Sequence, residues 1–375
     1  MKRLLHFLSL ITMLISACSQ IPSSVTINLG SPTNTAAPAP TLLPPTQVAP
    51  PTAAPLKPTA APPTAASPSA APTTKSSTQD YITFSINTQE FVYTSQSIAL
   101  LNRIVDLHEK HQVAVDIFLA TEMTDIYESQ APDLLKRLKA SPVVSISYHT
   151  RPPKPYHNDF DWLGLDKMSA KQQYDTIMNY ETHGLDMVTG QPTSANGGYK
   201  KLKEYMGYAP YIASALSDKD VANSVYSVFK DLGAVFTIVH GRTVNVGDTQ
   251  SGLYLKPEHV DLRLFEHVGK NVEGVITSAI DEAHNAKNAK APYFIGVKMH
   301  DNDFIAEKSA WLTIYGAKPR KPPYNTSLKA NLLTADKQAA MWTLYESTVI
   351  YVASLRTQGK VTAVNAPTML AMVKK

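Results

Sequence analysis

The chain has 375 residues, of which 43% are hydrophobic and 18% are charged, enough for one large domain or two ordinary ones. The formal net charge of +4 is small, and no basic run interleaved with aromatic residues occurs, so a nucleic-acid partner is not indicated. Cys18 is the single cysteine, which excludes a disulfide within the chain and leaves the fold to its hydrophobic core.

The first residues have the pattern of a targeting segment. Lys2 and Arg3 precede the apolar stretch 4–15, which is shorter than the ~20 residues that a spanning helix needs. The sequence Ile15-Ser16-Ala17-Cys18 then resembles a bacterial lipobox, in which the cysteine thiol receives a lipid. We therefore predict a signal peptide over residues 1–17 and an extracytoplasmic protein, anchored to the bacterial cell membrane through a lipid on Cys18. The alternative is an ordinary secretory signal that happens to contain a cysteine.

Residues 18–80 have the composition of a linker. Fourteen of the 27 prolines lie here among alanine, threonine and serine, and large apolar residues are almost missing. Such a segment buries too little apolar surface to offset the entropy of ordering. We predict a disordered tether with an upper reach on the order of 190 Å at ~3.1 Å per residue.

Residues 81–375 alternate between strand and helix patterns. The predicted strands are 81–87, 113–119, 143–148, 211–215, 234–239, 292–299 and 361–364. The predicted helices are 95–111, a stretch up to 139 that is interrupted near Pro132, 169–188, 199–206, 218–232, one within 269–290, 335–358 and 366–374. This alternation predicts an α/β domain with a parallel sheet. The length favours a closed or nearly closed (β/α) barrel, and no Gly-rich phosphate loop follows the first strand to favour a dinucleotide fold.

The stretch Val143–Trp162 is the strongest candidate for a site. A strand with one polar face ends at His149 and runs into a proline-rich loop that carries a second histidine. The second histidine is His157, and the loop also contains Arg151, Tyr156, Phe160 and Trp162. A strand that delivers a histidine into a rigid, aromatic loop is typical of a site on an α/β scaffold.

Alternation along four strands predicts a polar barrel interior. The inward-facing residues at or near the strand ends are Asn87, Asp116, His149, Lys298 and His300. Because a buried unpaired charge is costly, Asp116 and Lys298 are expected to pair with each other, with a ligand or with a metal. A structural salt bridge inside the barrel is the alternative.

Carboxylates follow two of these strands. Asp301 and Asp303 stand beside His300 and could orient its imidazole or bind a metal. Glu90 follows the first strand and is either a catalytic carboxylate or a capping or solvated one. Glu181-Thr182-His183 is predicted to lie in the middle of a helix, as a surface or supporting pair.

Four motifs together resemble the polysaccharide deacetylase (NodB-like) superfamily, which is related to certain glycoside hydrolases. They are Thr83-Phe84 with Asn87, His149-Thr150, Gln191-Pro192 and His300-Asp301. The resemblance covers about residues 81–375 and implies a deformed (β/α)7 barrel. It also implies removal of acetyl groups from N-acetylated glycans, with a divalent metal, often zinc, held by one aspartate and two histidines.

The chain departs from the motifs of that superfamily at two places. The two aspartates of the Thr-Phe-Asp-Asp-Gly motif fall at Ser85 and Ile86. Prolines and Lys154 stand where a second metal-binding histidine belongs, so that His157 is its possible substitute. The resemblance therefore supports the fold more directly than the activity.

The resulting hypothesis is a metal-dependent hydrolase that deacetylates a glycan or cell-wall polysaccharide. The predicted metal ligands are His149, His157 and Asp303, and the predicted catalytic residues are His300, Asp301, Glu90 and Asp116. The predicted substrate-binding residues are Asn87, Arg151, Tyr156, Trp162 and Lys298. Two alternatives stay open: a catalytically degenerate barrel that only binds glycans, and a solute-binding lipoprotein.

Overall fold

The computed structural model describes residues 80–374, in which strands alternate with helices as the sequence predicts. The strands are β1 (Asp80–Thr88), β2 (Val115–Leu119), β3 (Val144–His149), β4 (His183–Leu185), β5 (Pro192–Asn196), β6 (Ala213–Ser214), β7 (Phe236–Thr237), β8 (Thr249–Gln250), β9 (Leu253–Leu255), β10 (Val260–Arg263), β11 (Phe294–His300) and β12 (Val361–Ala363). The predicted signal peptide, the linker up to residue 79 and the lipidated Cys18 lie outside the described residues.

Ten α-helices connect and cover these strands within the described range. They are α1 (Thr94–His111), α2 (Thr121–Gln130), α3 (Pro132–Ala140), α4 (Ala170–Thr182), α5 (Gly198–Met206), α6 (Lys219–Leu232), α7 (Val272–Asn285), α8 (Ala310–Tyr315), α9 (Ala335–Thr357) and α10 (Ala366–Val373). Between residues 80 and 374, no helix has both the length and the apolar character needed to cross a membrane.

A curled parallel sheet organises the fold. Its strand order is β10-β11-β1-β2-β3-β6, and β12 pairs with the first residues of β1. A bridge between Ile212 and Phe236 links β6 to β7, and β7 pairs in parallel with β9. The chain then runs from β9 directly into β10 at the opposite end of the sheet. The predicted α/β barrel class is therefore confirmed, as an incomplete and deformed (β/α) barrel.

Strand alternation separates two apolar layers. Ile82, Phe84 and Ile86 of β1 belong to the large core between sheet and helices. Phe118 and Phe294 belong to a smaller inner cluster, which includes Met369 of α10. Thus α10 packs into the inside of the curled sheet, and the polar inward-facing residues predicted from alternation lie on the inner face.

Several local features differ from the predictions. The helix expected over 169–188 ends at Thr182, because His183–Leu185 turns into an antiparallel pair with Pro192–Asn196. Strands β4, β5, β8, β9 and β10 and helix α8 were not predicted, since each has only two to six residues of pattern. Of the two alternatives for Glu181, a surface or a supporting residue, the structure shows the second, since Glu181 is completely buried.

Candidate functional site

The carboxyl end of β11 carries a histidine–carboxylate pair. Nδ1 of His300 lies 3.1 Å from Oδ2 of Asp303, and the His300 backbone N–H donates to the same oxygen at 2.7 Å. The His300 side chain keeps one-fifth of its surface exposed (20%), and its ring lies 5.7 Å from that of Phe265. The carboxylate fixes the ring and assigns the Nδ1 proton, so Nε2 is the nitrogen left for chemistry.

Asp301, the neighbouring predicted catalytic residue, is fully buried. Its Oδ1 accepts from the backbone N–H groups of Gln89 and Asn302, and its Oδ2 accepts from Glu90 N–H and from Ser97 Oγ at 2.7 Å. Burial raises the pKa of Asp301. The bonds from Gln89 and Glu90 hold the loop after β1, and the bond from Ser97 holds the first turn of α1, against the end of β11 next to His300.

Glu90 lies in the same buried cluster. Its Oε1 accepts from the backbone N–H groups of Val92 and Tyr93, both at 3.1 Å, and within residues 80–374 its Oε2 has no partner. Burial, with a smaller contribution from the charge of Asp301, raises the pKa of Glu90 to about 7. That pKa suits a general base, but only 1% of the residue is exposed. Its catalytic role remains a prediction.

His149 and His157 lie near each other at the end of β3. Nδ1 of His149 is 2.6 Å from the Thr150 carbonyl, and Nδ1 of His157 is 3.3 Å from the Asn158 carbonyl. Because a carbonyl only accepts, each Nδ1 carries the proton and each Nε2 keeps its lone pair. Burial lowers the pKa of both rings, with the Arg151 charge adding to the effect, and that of His157 falls to about 3.

Two neutral imidazoles with free Nε2 lone pairs could begin a metal site. However, the described part of the chain contains no group of three His, Cys, Asp or Glu side chains that could hold a metal ion. Asp303, the predicted third ligand, is hydrogen-bonded to His300, and the positive Arg151 lies close to both histidines. The predicted ligand set as placed here therefore does not fit a metal.

Arg151 is half-buried between these two groups. Its guanidinium carbon lies 5.9 Å from the centre of the Trp311 ring, which also lies 6.1 Å from the His157 ring. Burial lowers the pKa of Arg151 to about 10, and the charges of Asp301 and Asp303 oppose that shift. The electrostatic influence of Asp303 therefore reaches both His300 and Arg151, which places the β3 and β11 loops around one mouth.

The loop that carries Arg151 is anchored through Lys154. Its Nζ lies 3.2 Å from Glu181 Oε1 and 2.6 Å from the Tyr148 hydroxyl. Tyr156 donates its hydroxyl proton to the same Glu181 oxygen. Tyr156 is thus buried in the interior, without an exposed ring face for a sugar, whereas Trp162 is partly exposed and donates its Nε1–H to the Pro153 carbonyl at 2.9 Å.

The remaining predicted residues line the inside of the curled sheet. Asp116 Oδ1 accepts the backbone N–H of Ala366 at 3.1 Å, at the start of α10, and burial raises the pKa of Asp116 to about 6. Lys298 is paired with Asp261 of β10 at 2.9 Å. Asp116 and Lys298 therefore do not pair with each other. Asn87 is buried beside His300 in the β1–β11 register.

Three residues of this region were missed by sequence reasoning. Asp261 belongs to the unpredicted β10, whose alternation Val260-Asp261-Leu262-Arg263 is visible but only four residues long. Glu258 pairs with Lys256 at 2.9 Å, and its carboxylate occupies the space that a Cβ on Gly296 would fill. Trp311 lies on α8 and comes to the mouth only through tertiary packing.

A cavity of about 520 Å³ opens beside the His300–Asp303 pair. Its wall includes Asp303, and its apolar lining comes from Phe265, Ala306, Leu333 and Met341. This volume lies in the ~300–1,000 Å³ range of small-molecule sites. Asp303 thus borders a space large enough for part of a small molecule, whereas His300 is not among the residues that line it.

Comparison with known proteins finds neither a matching family model nor a matching curated protein. Among solved structures, the 4-alpha-glucanotransferase from Thermococcus litoralis is 11% identical with a TM-score of 0.46, covering 78% of this chain and 40% of its own. The peptidoglycan deacetylase PdaC from Bacillus subtilis is 12% identical with a TM-score of 0.36 (79% and 92% covered). A putative polysaccharide deacetylase from Mycobacterium smegmatis is 9% identical with a TM-score of 0.39 (81% and 94% covered). These values do not place the chain in a family.

Proposed function

We propose that the domain is a carbohydrate-active hydrolase that removes the acetyl group from an N-acetylated glycan. The observation that carries the proposal is the His300–Asp303 pair, 3.1 Å apart at the carboxyl end of β11 and partly exposed. Active sites of (β/α) barrels lie at this end of the strands. The resemblance of His300-Asp301 and His149-Thr150 to the deacetylase motifs supports the same reaction class.

In this proposal His300 moves the proton during hydrolysis. A water molecule attacks the amide carbonyl and gives its proton to Nε2 of His300, while Nδ1–H stays bonded to Asp303. His300 then passes the proton to the leaving nitrogen as the carbon–nitrogen bond breaks, which yields acetate and a free amine. General acid–base catalysis of this kind contributes typically ~10²–10⁴-fold.

The test is acetate release from chitohexaose by the wild type, His300→Ala and Asp303→Asn. We expect kcat/KM to fall by ~10²–10⁴ for His300→Ala, and by less for Asp303→Asn, which keeps a hydrogen-bonding oxygen. His267→Ala is the matched control, because His267 ends the short 3-10 helix after β10 and its Nδ1 lies 3.4 Å from the Nζ of Lys270, at the surface. Activity of His300→Ala within twofold of the wild type would refute the proposed role.

The second candidate function is glycan binding without turnover. Two observations support it: Ser85 and Ile86 stand where the resembled superfamily has aspartates, and residues 80–374 contain no group of three side chains that could hold a metal ion. Titration of chitohexaose before and after chelator treatment, with elemental analysis for zinc, separates the candidates. Binding that is unchanged by chelator, without acetate release, supports this second function. Turnover that is lost with the chelator eliminates it and restores the predicted metal.

We also propose that the domain works at the outer face of the bacterial cell membrane, tethered through a lipid on Cys18. The lipobox-like Ile15-Ser16-Ala17-Cys18 supports this location. Cys18→Ala should move the protein from the membrane fraction to the soluble one and abolish labelling by a fatty-acid analogue. Unchanged membrane fractionation of the variant would contradict the anchor.

A further inference from the structure

We propose that Arg151 binds a carboxylate of the substrate, so that the glycan taken by this site is acidic. The inference builds on the proposed glycan site and names its substrate class. Three observations support it. Within residues 80–374 no carboxylate pairs with the Arg151 guanidinium, the neighbouring Asp301 and Asp303 are hydrogen-bonded to other groups, and the loop that carries Arg151 is held by buried contacts.

Within the described residues, the N–H donors of the Arg151 guanidinium have no carboxylate partner. A guanidinium presents five N–H donors and stays charged at all ordinary pH values. Within residues 80–374, no carboxylate oxygen lies within 4.0 Å of it, in contrast to Arg137, which has Asp106 at 2.6 Å and Glu109 at 2.7 Å. Leaving such a half-buried cation unpaired costs free energy, and a ligand carboxylate would recover it.

The acids nearest to Arg151 are already engaged. Both oxygens of Asp301 accept backbone or serine donors, and Oδ2 of Asp303 accepts the two His300 donors. Oδ1 of Asp303 lies 3.4 Å from Asn302 Nδ2. Neither carboxylate has turned toward the guanidinium, so the donors of Arg151 stay available at the mouth.

A second donor without an acceptor lies beside Arg151. The Nε1–H of Trp311 is shielded from solvent and has no hydrogen-bond partner in the described part of the chain. Its ring centre is 5.9 Å from the guanidinium carbon of Arg151. A carboxylate has two oxygens and about four lone-pair sites, so one such group could accept from both side chains.

The backbone on both sides of Arg151 is held in place. Thr150 donates its N–H to the Ser214 carbonyl at 2.9 Å, and Lys154 is fixed by its buried contacts with Glu181 and Tyr148. A side chain on an anchored loop loses less entropy when it binds a ligand. The loop therefore holds the backbone of Arg151 in place before a ligand binds, which lowers the entropy cost of binding.

The experiment measures binding to the full chain by titration calorimetry in 0.1 M salt. The two probes are a hyaluronan hexasaccharide, which alternates N-acetylglucosamine with glucuronate, and the neutral chitohexaose. The variants are Arg151→Gln and the matched control Arg263→Gln. Arg263 lies at the end of β10 and already faces two carboxylates, Asp261 at 3.8 Å and Glu266 at 3.5 Å.

We expect the wild type to bind the acidic hexasaccharide at least about tenfold more tightly than the neutral one. Arg151→Gln should weaken the acidic probe by ~10–100-fold, the effect of one charge-assisted hydrogen-bonded pair, and change the neutral probe by less than about twofold. Arg263→Gln should leave both affinities within about twofold. The melting temperature of each variant checks folding.

Three results overturn the inference: equal affinity of the wild type for both probes, no binding of the acidic probe, or equal losses in the two arginine variants. The proposed hydrolysis fails separately. If neither probe releases acetate but the Arg151-dependent preference persists, the acidic-glycan site stands and the enzymatic function falls. If acetate is released without any preference for acid, the reverse holds.

Discussion

Two cations three residues apart in one loop have opposite environments. Lys154 is 1% exposed and touches Glu181 at 3.2 Å and the Tyr148 hydroxyl at 2.6 Å. Arg151 is half-buried, with no carboxylate within 4.0 Å in the described residues and with a tryptophan ring beside it. Lys154 joins the loop to the end of α4, whereas Arg151 lies partly exposed at the mouth.

Within this single loop, Lys154 contributes to stability and Arg151 to the proposed ligand binding. A buried ion pair mainly makes the loss of either partner costly, since the remaining charge is then unpaired. A partly desolvated cation without a partner instead lowers stability slightly and is a candidate for binding a ligand. Substitutions at the two positions should therefore change the free energy of unfolding in opposite directions.

The largest effect is expected at the buried pair. Lys154→Met or Glu181→Gln should lower the free energy of unfolding by ~3–5 kcal/mol, because each leaves a buried group without its partner. Urea denaturation measures it, with Lys171→Met as the control, since Lys171 forms an exposed pair with Asp175. Equal losses of unfolding free energy in the Lys154 and Lys171 variants would contradict the stabilising role of the buried pair.

A pH-dependent effect of intermediate size is expected at Asp116. Burial raises its pKa from 3.8 to about 6 in the folded state. Between these values the folded protein keeps a proton that the unfolded chain releases, so this contribution to stability is present below about pH 4 and lost as the pH rises through 6.

Asp116→Asn keeps an oxygen for the Ala366 N–H but removes the charge. The variant should exceed the wild type in free energy of unfolding by on the order of 1–3 kcal/mol at pH 7.5, with the difference vanishing near pH 3.5. Urea denaturation at both pH values measures this, with the exposed Asp133→Asn as the control. A difference that is the same at both pH values would show that the charge of Asp116 is not responsible.

A smaller loss is expected at the start of α4. Ser169 accepts from Gln172 N–H in a capping box, so Ser169→Ala should lower the free energy of unfolding by ~1 kcal/mol. Thermal unfolding measures the shift, with Ser227→Ala on α6 as the control. The Ser169→Ala loss is the reference for the Glu181→Gln variant. A larger loss of unfolding free energy in Glu181→Gln comes from the ion pair and not from weakening of α4 itself.

The smallest effect is expected at Arg151, with the opposite sign. Arg151→Met should leave the free energy of unfolding unchanged or raise it by up to ~1 kcal/mol, since it removes an unpaired, partly desolvated charge. Arg137→Met, which breaks contacts with two carboxylates, is the control and should lower stability. A clear loss at Arg151 would mean that this cation also supports the fold.

The sequence by itself determined the class of the fold and the ends of the strands that matter. Strict alternation in β1, β2, β3 and β11 predicted which side chains face inward, because side chains point to opposite faces with a period of two. The chemistry at the end of β11 was also visible, since His300 and Asp303 are three residues apart.

Only the tertiary structure decided which charges are paired. Asp116 accepts an N–H from Ala366, 250 residues later, and Lys298 pairs with Asp261 from a strand too short to predict. Glu181 became a buried partner of Lys154 because α4 ends at Thr182 and turns into β4. Pairing depends on distances in space and on desolvation, and local residue patterns contain neither. That Arg151 lacks a carboxylate partner among the described residues follows only from the tertiary structure, in which Asp301 and Asp303 bind other donors.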